Sequence, residues 1–301
     1  MEDIEVNQII HGDCLQVLRT FPSNAVDSVV TDPPYGLSRE PDIREVLEKW
    51  LAGEDYTYRG SGFMGKTWDS FVPGPAIWRE VHRTLKPGGH ALVFAGARTQ
   101  DLMTTALRLA GFEIRDVIEW LYFSGFPKNM DVSKAFDKRA GVEREKIGER
   151  QKLDTSVRKG GYVAGEADAS QYDKKVIDIT APATDLAKKW DGWGTALKPA
   201  HEPIIVARKP LDGTVADNVE RWGTGALNIN GCRIGDNKGR FPANCITTEP
   251  DAFFSKYFNI TPPELCKKAS KQDRNSDWRG EPINLEEKTT DDGRKKPIDN
   301  P

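Results

Sequence analysis

Thr31-Asp32-Pro33-Pro34-Tyr35-Gly36 sets a carboxylate, two prolines and an aromatic ring side by side, directly after the run Val26-Asp27-Ser28-Val29-Val30. An amino group on a heteroaromatic ring is a poor nucleophile, because its lone pair is delocalised into the ring. A carboxylate and a backbone carbonyl that accept its two N–H bonds hold the nitrogen closer to tetrahedral and turn the lone pair toward an electrophile. Asp32 supplies the carboxylate and Pro33 the carbonyl. Pro33 and Pro34 carry no competing N–H and stiffen the turn, and Tyr35 offers a face on which a base can stack. The same residues also suit an ordinary turn after a strand, since both prolines fix φ and an Asp bonds its own backbone.

The elements that must position these residues follow from periodicity. Asn7-Gln8-Ile9-Ile10 reads as a short strand, and His11-Gly12-Asp13 turns into a helix with Leu15, Leu18 and Phe21 at helical spacing and Asp13 as its N-cap. A strand over 26–31 ends on Asp32. The spacing predicts a helix over 75–85 with Ile77, Trp78, Val81 and Leu85 on one face, stopped by Lys86-Pro87-Gly88-Gly89. The uncharged run His90-Ala91-Leu92-Val93-Phe94-Ala95 is a buried strand. A helix over 99–109 follows, with Leu102, Met103, Ala106 and Leu109 inward and Gly111 as its stop, then a strand over 113–123. Strands alternating with helices imply parallel pairing through right-handed crossovers, hence an α/β sandwich with helices on both faces. Ligands of such sheets lie beyond the carboxyl ends of the strands, so Asp13 and Asp32 are expected to point into one crevice.

After Gly125-Phe126-Pro127 the periodicity fades. Residues 139–200 are rich in Gly, Lys and Asp, and read as an insertion with little sheet of its own. Pro203-Ile204-Ile205-Val206-Ala207 restores a short strand, and beyond about residue 254 the chain turns polar, ending in a charged tail over 286–301. Four regions are expected: 1–126, an α/β region; 127–200, inserted; 201–253, a return to the first; and 254–301, the tail. Gly60-Ser61-Gly62-Phe63-Met64-Gly65-Lys66-Thr67 fits the letters of a phosphate-binding loop but not its context, since no buried strand precedes it and Pro73 and Pro75 interrupt the stretch after it.

With 301 residues, 38% hydrophobic and 30% charged, the chain can bury one large core or a core plus a subdomain. No stretch is apolar for long enough to span a membrane and the N-terminus is acidic, so the cytoplasm is the expected compartment. Cys14, Cys232, Cys245 and Cys266 fall at irregular spacings away from the four histidines, so no metal site is expected. The net charge of −3 argues against nonspecific coating of nucleic acid. Residues 128–209, however, hold 17 Lys/Arg against 13 Asp/Glu, a net +4 that permits a phosphate-facing surface. A base inside a duplex must be rotated out of its stack to reach a pocket at Asp32, and 37–72 and 128–200 are the segments free to grip the backbone. Lys66, Lys128, Arg158 and Lys159 are the candidate contacts.

The block HGDCLQVLRTFPSNAVDSVVTDPPYG resembles the opening of the DNA amino-methyltransferases in their beta arrangement, the permuted group whose catalytic tetrapeptide lies near the N-terminus. The blocks GFMGKTWD, WREVHRTLKPGG, HALVFAGART, AGFEIRDVIEWLYFSGFPK and WGTALKPAHEPIIVARKPL are similar to blocks of phage-type and prophage-type members in the same order, over roughly residues 7–249. The resemblance implies a Rossmann-like methyltransferase sheet, incomplete here, and transfer of a methyl group from S-adenosylmethionine to adenine N6 or cytosine N4 in double-stranded DNA. Asp rather than Ser at position 32 leans toward adenine N6. It also implies that Asp13, with Cys14 beside it, holds the adenine of the cofactor and that 127–200 is the DNA-recognition region. Protein glutamine methyltransferases carry a similar tetrapeptide with Asn first and their cofactor loop upstream, where this chain has only 31 residues before Asp32. A noncatalytic DNA-binding module is the alternative outside enzymology. One departure stands out. The family's T-x-K-P stretch and Gly-rich D-P-F-x-G-S-G loop, which wraps the methionine part of the cofactor, has no match. The expectation is a truncated form, or a second chain that supplies the cofactor segment.

Overall fold

The computed structural model describes residues 7–36, 41–58, 70–122, 129–158, 172–234, 239–247 and 259–260, with backbone alone at 152–158, 172–175 and 259–260. Asp13 opens α1 (Cys14–Thr20): its Oδ1 accepts the Gln16 N–H at 3.0 Å, satisfying a donor that the helix start leaves without a partner. Arg83 ties the far end of α1 down, donating to the carbonyls of Leu18 and Phe21 at 2.8 Å each. The chain then enters β1 (Val26–Thr31). The strand expected over residues 7–10 does not form. Asn7 takes a left-handed φ of 59°, which interrupts an extended run, and Ile9 is 73% exposed.

Three helices and two strands follow: α2 (Ile43–Leu51), in a stretch where no element is expected, α3 (Pro75–Thr84), β2 (Leu85–Phe94), which takes in the Lys86–Gly89 residues expected as a helix stop, α4 (Gln100–Leu109) and β3 (Glu113–Leu121). Val46 and Trp50 of α2, Trp78 and Val81 of α3, and Leu102, Met103, Ala106 and Leu107 of α4 pack on Ala91 and Val93 of β2 to form the main core. Leu107 is fully buried in that face, whereas the expected Leu109 is only partly covered.

The sheet is mixed, which corrects the expected all-parallel pairing. Its order is β1-β2-β6-β3-β7-β8, with β6 (His201–Arg208), β7 (Cys245–Thr247) and β8 (Asn259–Ile260). β1 and β2 are parallel, but β6 lies antiparallel to both β2 and β3. The cause is the route of the chain. Leu121 at the end of β3 faces His201 at the start of β6, so the excursion between them leaves and returns at one pole. A strand that re-enters where its neighbour ended can only run back against it. Beyond β6, α7 (Val215–Trp222) is capped by a reciprocal box between Thr214 and Asp217. The buried Asn218 donates to the carbonyls of Pro87 and Thr224, which fixes the residues after α7 over the face of β1 and β2 opposite the main core.

The excursion also differs from expectation, because it holds sheet of its own. Between α5 (Val132–Ala140) and α6 (Asp185–Lys189), β4 (Lys146–Arg158) pairs antiparallel with β5 (Tyr172–Thr180). Charges along both strands conceal the alternation in Val176-Ile177-Asp178-Ile179-Thr180 that suits a ribbon. Asp137 locks the base of this unit. Its side chain, 1% exposed, accepts from the backbone N–H groups of Ala183 and Thr184 at 3.0 Å and from the Thr184 hydroxyl at 2.7 Å, with Arg144 Nε at 3.4 Å.

Burial alone raises the pKa of Asp137, but these hydrogen bonds and the Arg144 charge outweigh it and hold the carboxyl below its ordinary 3.8. A depressed folded pKa stabilises the fold above the unfolded value and loses that contribution as pH falls through the folded value. Amide exchange followed toward acid should therefore show α5 and α6 opening below pH 3.8, ahead of the main sheet. Asp137→Asn should weaken their protection already at neutral pH. Unchanged protection in that variant would show that the network does not hold the unit.

Candidate active site

Thr31 ends β1 at the sheet pole where β3 ends and β6 begins, and residues 32–36 continue as an extended loop without regular structure. Three anchors fix that loop. The hydroxyl of Thr99, the residue before α4, donates to the Tyr35 carbonyl at 2.7 Å. The Tyr35 hydroxyl donates to Glu202 Oε2 at 3.2 Å. Gly36, at φ +63°, passes against the backbone of residues 71 and 72, so that a Cβ there would lie 2.9 Å from Val72 N and 3.0 Å from Phe71 Cα. Phe71 is itself packed on Tyr56 and Trp50, with ring centroids 5.2 and 6.1 Å apart, so this backbone has little room to yield.

Gly36→Ala therefore combines a left-handed backbone with a backbone collision. It should cost about 1–3 kcal/mol, concentrated in this loop, and reduce any activity of the site far more than it lowers the melting temperature. A fully active Gly36→Ala protein would show that the loop geometry is not required.

The wall facing the loop comes from strand register. Residues directly opposite in an antiparallel pair share a face. Phe94 is opposite Ile204 and Trp120 is opposite Glu202, so these four side chains lie on one side of the sheet. Phe94 and Trp120 meet edge to face at 5.8 Å, and Trp120 and Tyr122 at 6.3 Å. The Trp120 indole nitrogen is buried and has no hydrogen-bond partner among the described residues. Tyr122, just past β3, is held by its N–H to the Ala200 carbonyl at 2.9 Å, and its hydroxyl bonds Glu202 as well.

Two carboxylates thus share one phenol, because Tyr35 also bonds Asp32. Burial raises the Glu202 carboxyl above its ordinary range and the Asp32 charge adds to this, while the hydroxyls of Tyr35 and Tyr122 oppose it. Burial, Asp32 and Glu202 raise Tyr35 far out of any physiological range, so its hydroxyl stays protonated and acts as a donor. Tyr122 is raised by burial and by Glu202. The result is a half-buried acceptor edge beside an aromatic wall, a surface suited to a flat ring that carries an amino group.

The other residues singled out by the sequence lie elsewhere. Asp13 caps α1 at the end remote from Arg83, and Cys14 is the exposed first residue of that helix. Its thiol is raised by partial loss of solvation against the neighbouring chain and by the Asp13 charge. No hydrogen bond or ion pair joins either residue to the 32–35 loop among the described residues. Arg158 ends the β4 backbone, while Lys66, Lys128, Lys159 and the 60–67 motif lie outside the described residues. Gly223-Thr224-Gly225 closes α7 and is bonded to Pro87 through the Thr224 hydroxyl, so it serves as a helix stop. Sequence reasoning missed Thr99, Trp120, Tyr122 and Glu202. The signal for Glu202 is a carboxylate in front of the buried run Pro203-Ile204-Ile205-Val206-Ala207.

Comparison with known proteins gives a coherent result. The profile of the N6_N4_Mtase family, described as DNA methylase, matches residues 26–297. YubD of Escherichia coli (strain K12), provisionally named a methylase, is 31% identical over 109 residues, covering 36% of this chain and 40% of YubD. The type II methyltransferase M.HindIII of Haemophilus influenzae is 23% identical over 245 residues, covering 75% of this chain and 66% of that protein. The chain thus spans less than two thirds of the length of either relative. Among solved structures, TTHA0409 of Thermus thermophilus, provisionally named a DNA modification methylase and complexed with S-adenosyl-L-methionine, matches over 70% of this chain and 57% of its own. Identity there is 17% and the TM-score 0.31. No helix among the described residues is long and apolar enough to cross a membrane.

Proposed function

Since the chain belongs to the DNA methylase family N6_N4_Mtase, we propose that it carries the methyl-acceptor pocket of a site-specific DNA methyltransferase acting on adenine N6. S-adenosylmethionine supplies a methyl group activated on a sulfonium. In the pocket, Asp32 and the Pro33 carbonyl accept the two N–H bonds of the flipped base and direct the nitrogen lone pair outward, while Tyr35 stacks on the ring. Transfer of the methyl group to that nitrogen would break the S–CH3 bond of the sulfonium and leave a neutral thioether, and the nitrogen, cationic once the N–C bond forms, would then release one proton to water. The observation that carries this reading is the anchoring of Tyr35 at both ends, by Thr99 and by Glu202, beside the wall of Phe94, Trp120 and Tyr122.

Sequencing that detects modified bases, applied to DNA from cells that express the chain or its Asp32→Ala variant together with any chain needed for activity, tests this. N6-methyladenine at a defined site, present only with the unaltered chain, is the expected result. N4-methylcytosine would instead assign the pocket to cytosine, whose amino group poses the same chemical problem. Modification in neither case would leave an inactive DNA-binding fragment.

The residues present fit the cofactor only in part. Asp13 and Cys14 at the start of α1 are the groups offered to its adenosine end. Gly223-Thr224-Gly225 is committed to closing α7, and Gly192-Trp193-Gly194 follows α6 rather than a strand. The glycine-rich enclosure of the methionine end is supplied in this reading by a second polypeptide. Residues 127–200, with the β4 and β5 ribbon, form the DNA-recognition region between the catalytic parts 1–126 and 201–253. A two-stranded ribbon fits the width of a major groove.

A further inference from the structure

We propose that Glu202 is a positioning residue of this pocket, which accepts the hydrogen bond of the Tyr35 hydroxyl so that Asp32 stays open to a base amino group and the Tyr35 ring keeps a fixed angle. The inference rests on the acceptor-pocket reading given above. A phenol has one hydrogen to donate, and two carboxylates lie within reach of it. If Asp32 accepts that hydrogen, part of its acceptor capacity is spent and its charge is partly neutralised, which weakens its hold on an amino group.

The two carboxylates differ in what holds them. Asp32 sits on a loop, whereas Glu202 is part of β6, directly opposite Trp120 and followed by Pro203, Ile204, Ile205 and Val206, all buried. Tyr122 brings Glu202 a second phenol from the end of β3. Glu202 therefore holds the Tyr35 hydroxyl from within the main sheet, with the Tyr122 hydroxyl as a second donor to it. Its partial burial and the Asp32 charge tend to keep a proton nearby, and the two hydroxyls supply the hydrogen bonds that let it remain an acceptor.

The test uses Glu202→Ala, Glu202→Gln, Tyr35→Phe and the double variant Tyr35→Phe with Glu202→Ala, each in the full chain with any chain needed for activity. Methyl transfer by Glu202→Ala should fall about 10- to 100-fold in kcat with little change in KM for DNA. Glu202→Gln, which keeps an acceptor oxygen, should recover most of the loss. In the Tyr35→Phe background, Glu202→Ala should add less than about a twofold effect, because the hydroxyl through which Glu202 acts is already gone. Additive losses, or a Gln variant no better than Ala, would overturn the proposal.

A second arm needs no activity. Crystal structures of Glu202→Gln and Glu202→Ala should show the Tyr35 hydroxyl kept at position 202 in the first and moved to Asp32 in the second. An unmoved Tyr35 in the Ala variant would overturn the proposal, and should that variant not fold, loss of the bond in the Gln variant would do so. If the unaltered protein transfers no methyl group, the acceptor-pocket reading fails by itself, while the crystal structures still decide what Glu202 does to Tyr35.

Discussion

Asp32→Ala should lower methyl transfer by about 10²- to 10³-fold, the usual cost of removing one preorganised group that stabilises charge in a transition state, while DNA affinity and the melting transition stay near those of the unaltered protein. The expectation follows from where Asp32 stands. Its side chain lies beyond the last residue of β1, bonds Tyr35, and takes no part in the main core. Removal therefore leaves the sheet intact and leaves Tyr35 held by Thr99 and Glu202. What disappears is the charged acceptor that opposes delocalisation of the amino lone pair. Asp32→Asn keeps a carbonyl acceptor without the charge and should fall between the two. Loss of the Asp32 charge also removes one influence that raises Glu202, so Glu202 should ionise more readily in either variant. Single-turnover transfer measured alongside DNA binding by fluorescence anisotropy separates these effects. Unaltered transfer by Asp32→Ala would sink the pocket assignment, and a parallel loss of DNA affinity would move Asp32 from chemistry to recognition.

The parts of this molecule that could be read from its sequence are those set by local pattern. α3, α4 and β3 lie within about two residues of their expected spans, because apolar spacing and punctuation by Pro75 and Gly111 act over a few residues. Asp13 as an N-cap is equally local. The direction of β6 was not legible, since an apolar run looks the same whichever way it runs. Its antiparallel course is decided by the pole at which a long excursion returns. The β4 and β5 ribbon escaped because Lys, Arg, Asp and Glu interrupt both strands, and pairing across a hairpin is not a local signal.

The site divides along the same line. Asp32, Pro33, Pro34 and Tyr35 announce themselves by their adjacency and by their place after an apolar run. Glu202 is 167 residues from Tyr35 along the chain, and only the register of β6 against β3 brings it to the same pole. Thr99 is equally inconspicuous, a helix-start threonine whose hydroxyl makes no cap bond and reaches across to the Tyr35 carbonyl. The residues proposed for chemistry could be picked out where they stand together, and their partners could not, because partners are chosen by topology.

On the proposal that a second polypeptide encloses the methionine end of the cofactor, S-adenosylmethionine should bind this chain alone with a Kd of about 1 mM or weaker, some 4 kcal/mol short of micromolar binding. The cause is the fit of the residues present. A cofactor with a charged amino-acid end needs backbone N–H groups at a glycine-rich turn between a strand and a helix. Among the described residues, Gly223-Thr224-Gly225 is tied to Pro87 and Asn218, and Gly192-Trp193-Gly194 follows a helix of five residues. Meanwhile β1 ends the sheet with one edge unpaired among the described residues, its Val30 68% exposed, and such an edge is open to a further strand. A polypeptide bearing a strand, a glycine-rich loop and a helix should therefore dock along β1, restore micromolar affinity on mixing, and suppress self-association through that edge. Val30→Lys should weaken both the docking and the self-association while leaving the main core intact, since Val30 faces away from it. Isothermal calorimetry with and without the added polypeptide reads the first effect and light scattering the second. Micromolar binding by the chain alone would show that its own residues already enclose the cofactor.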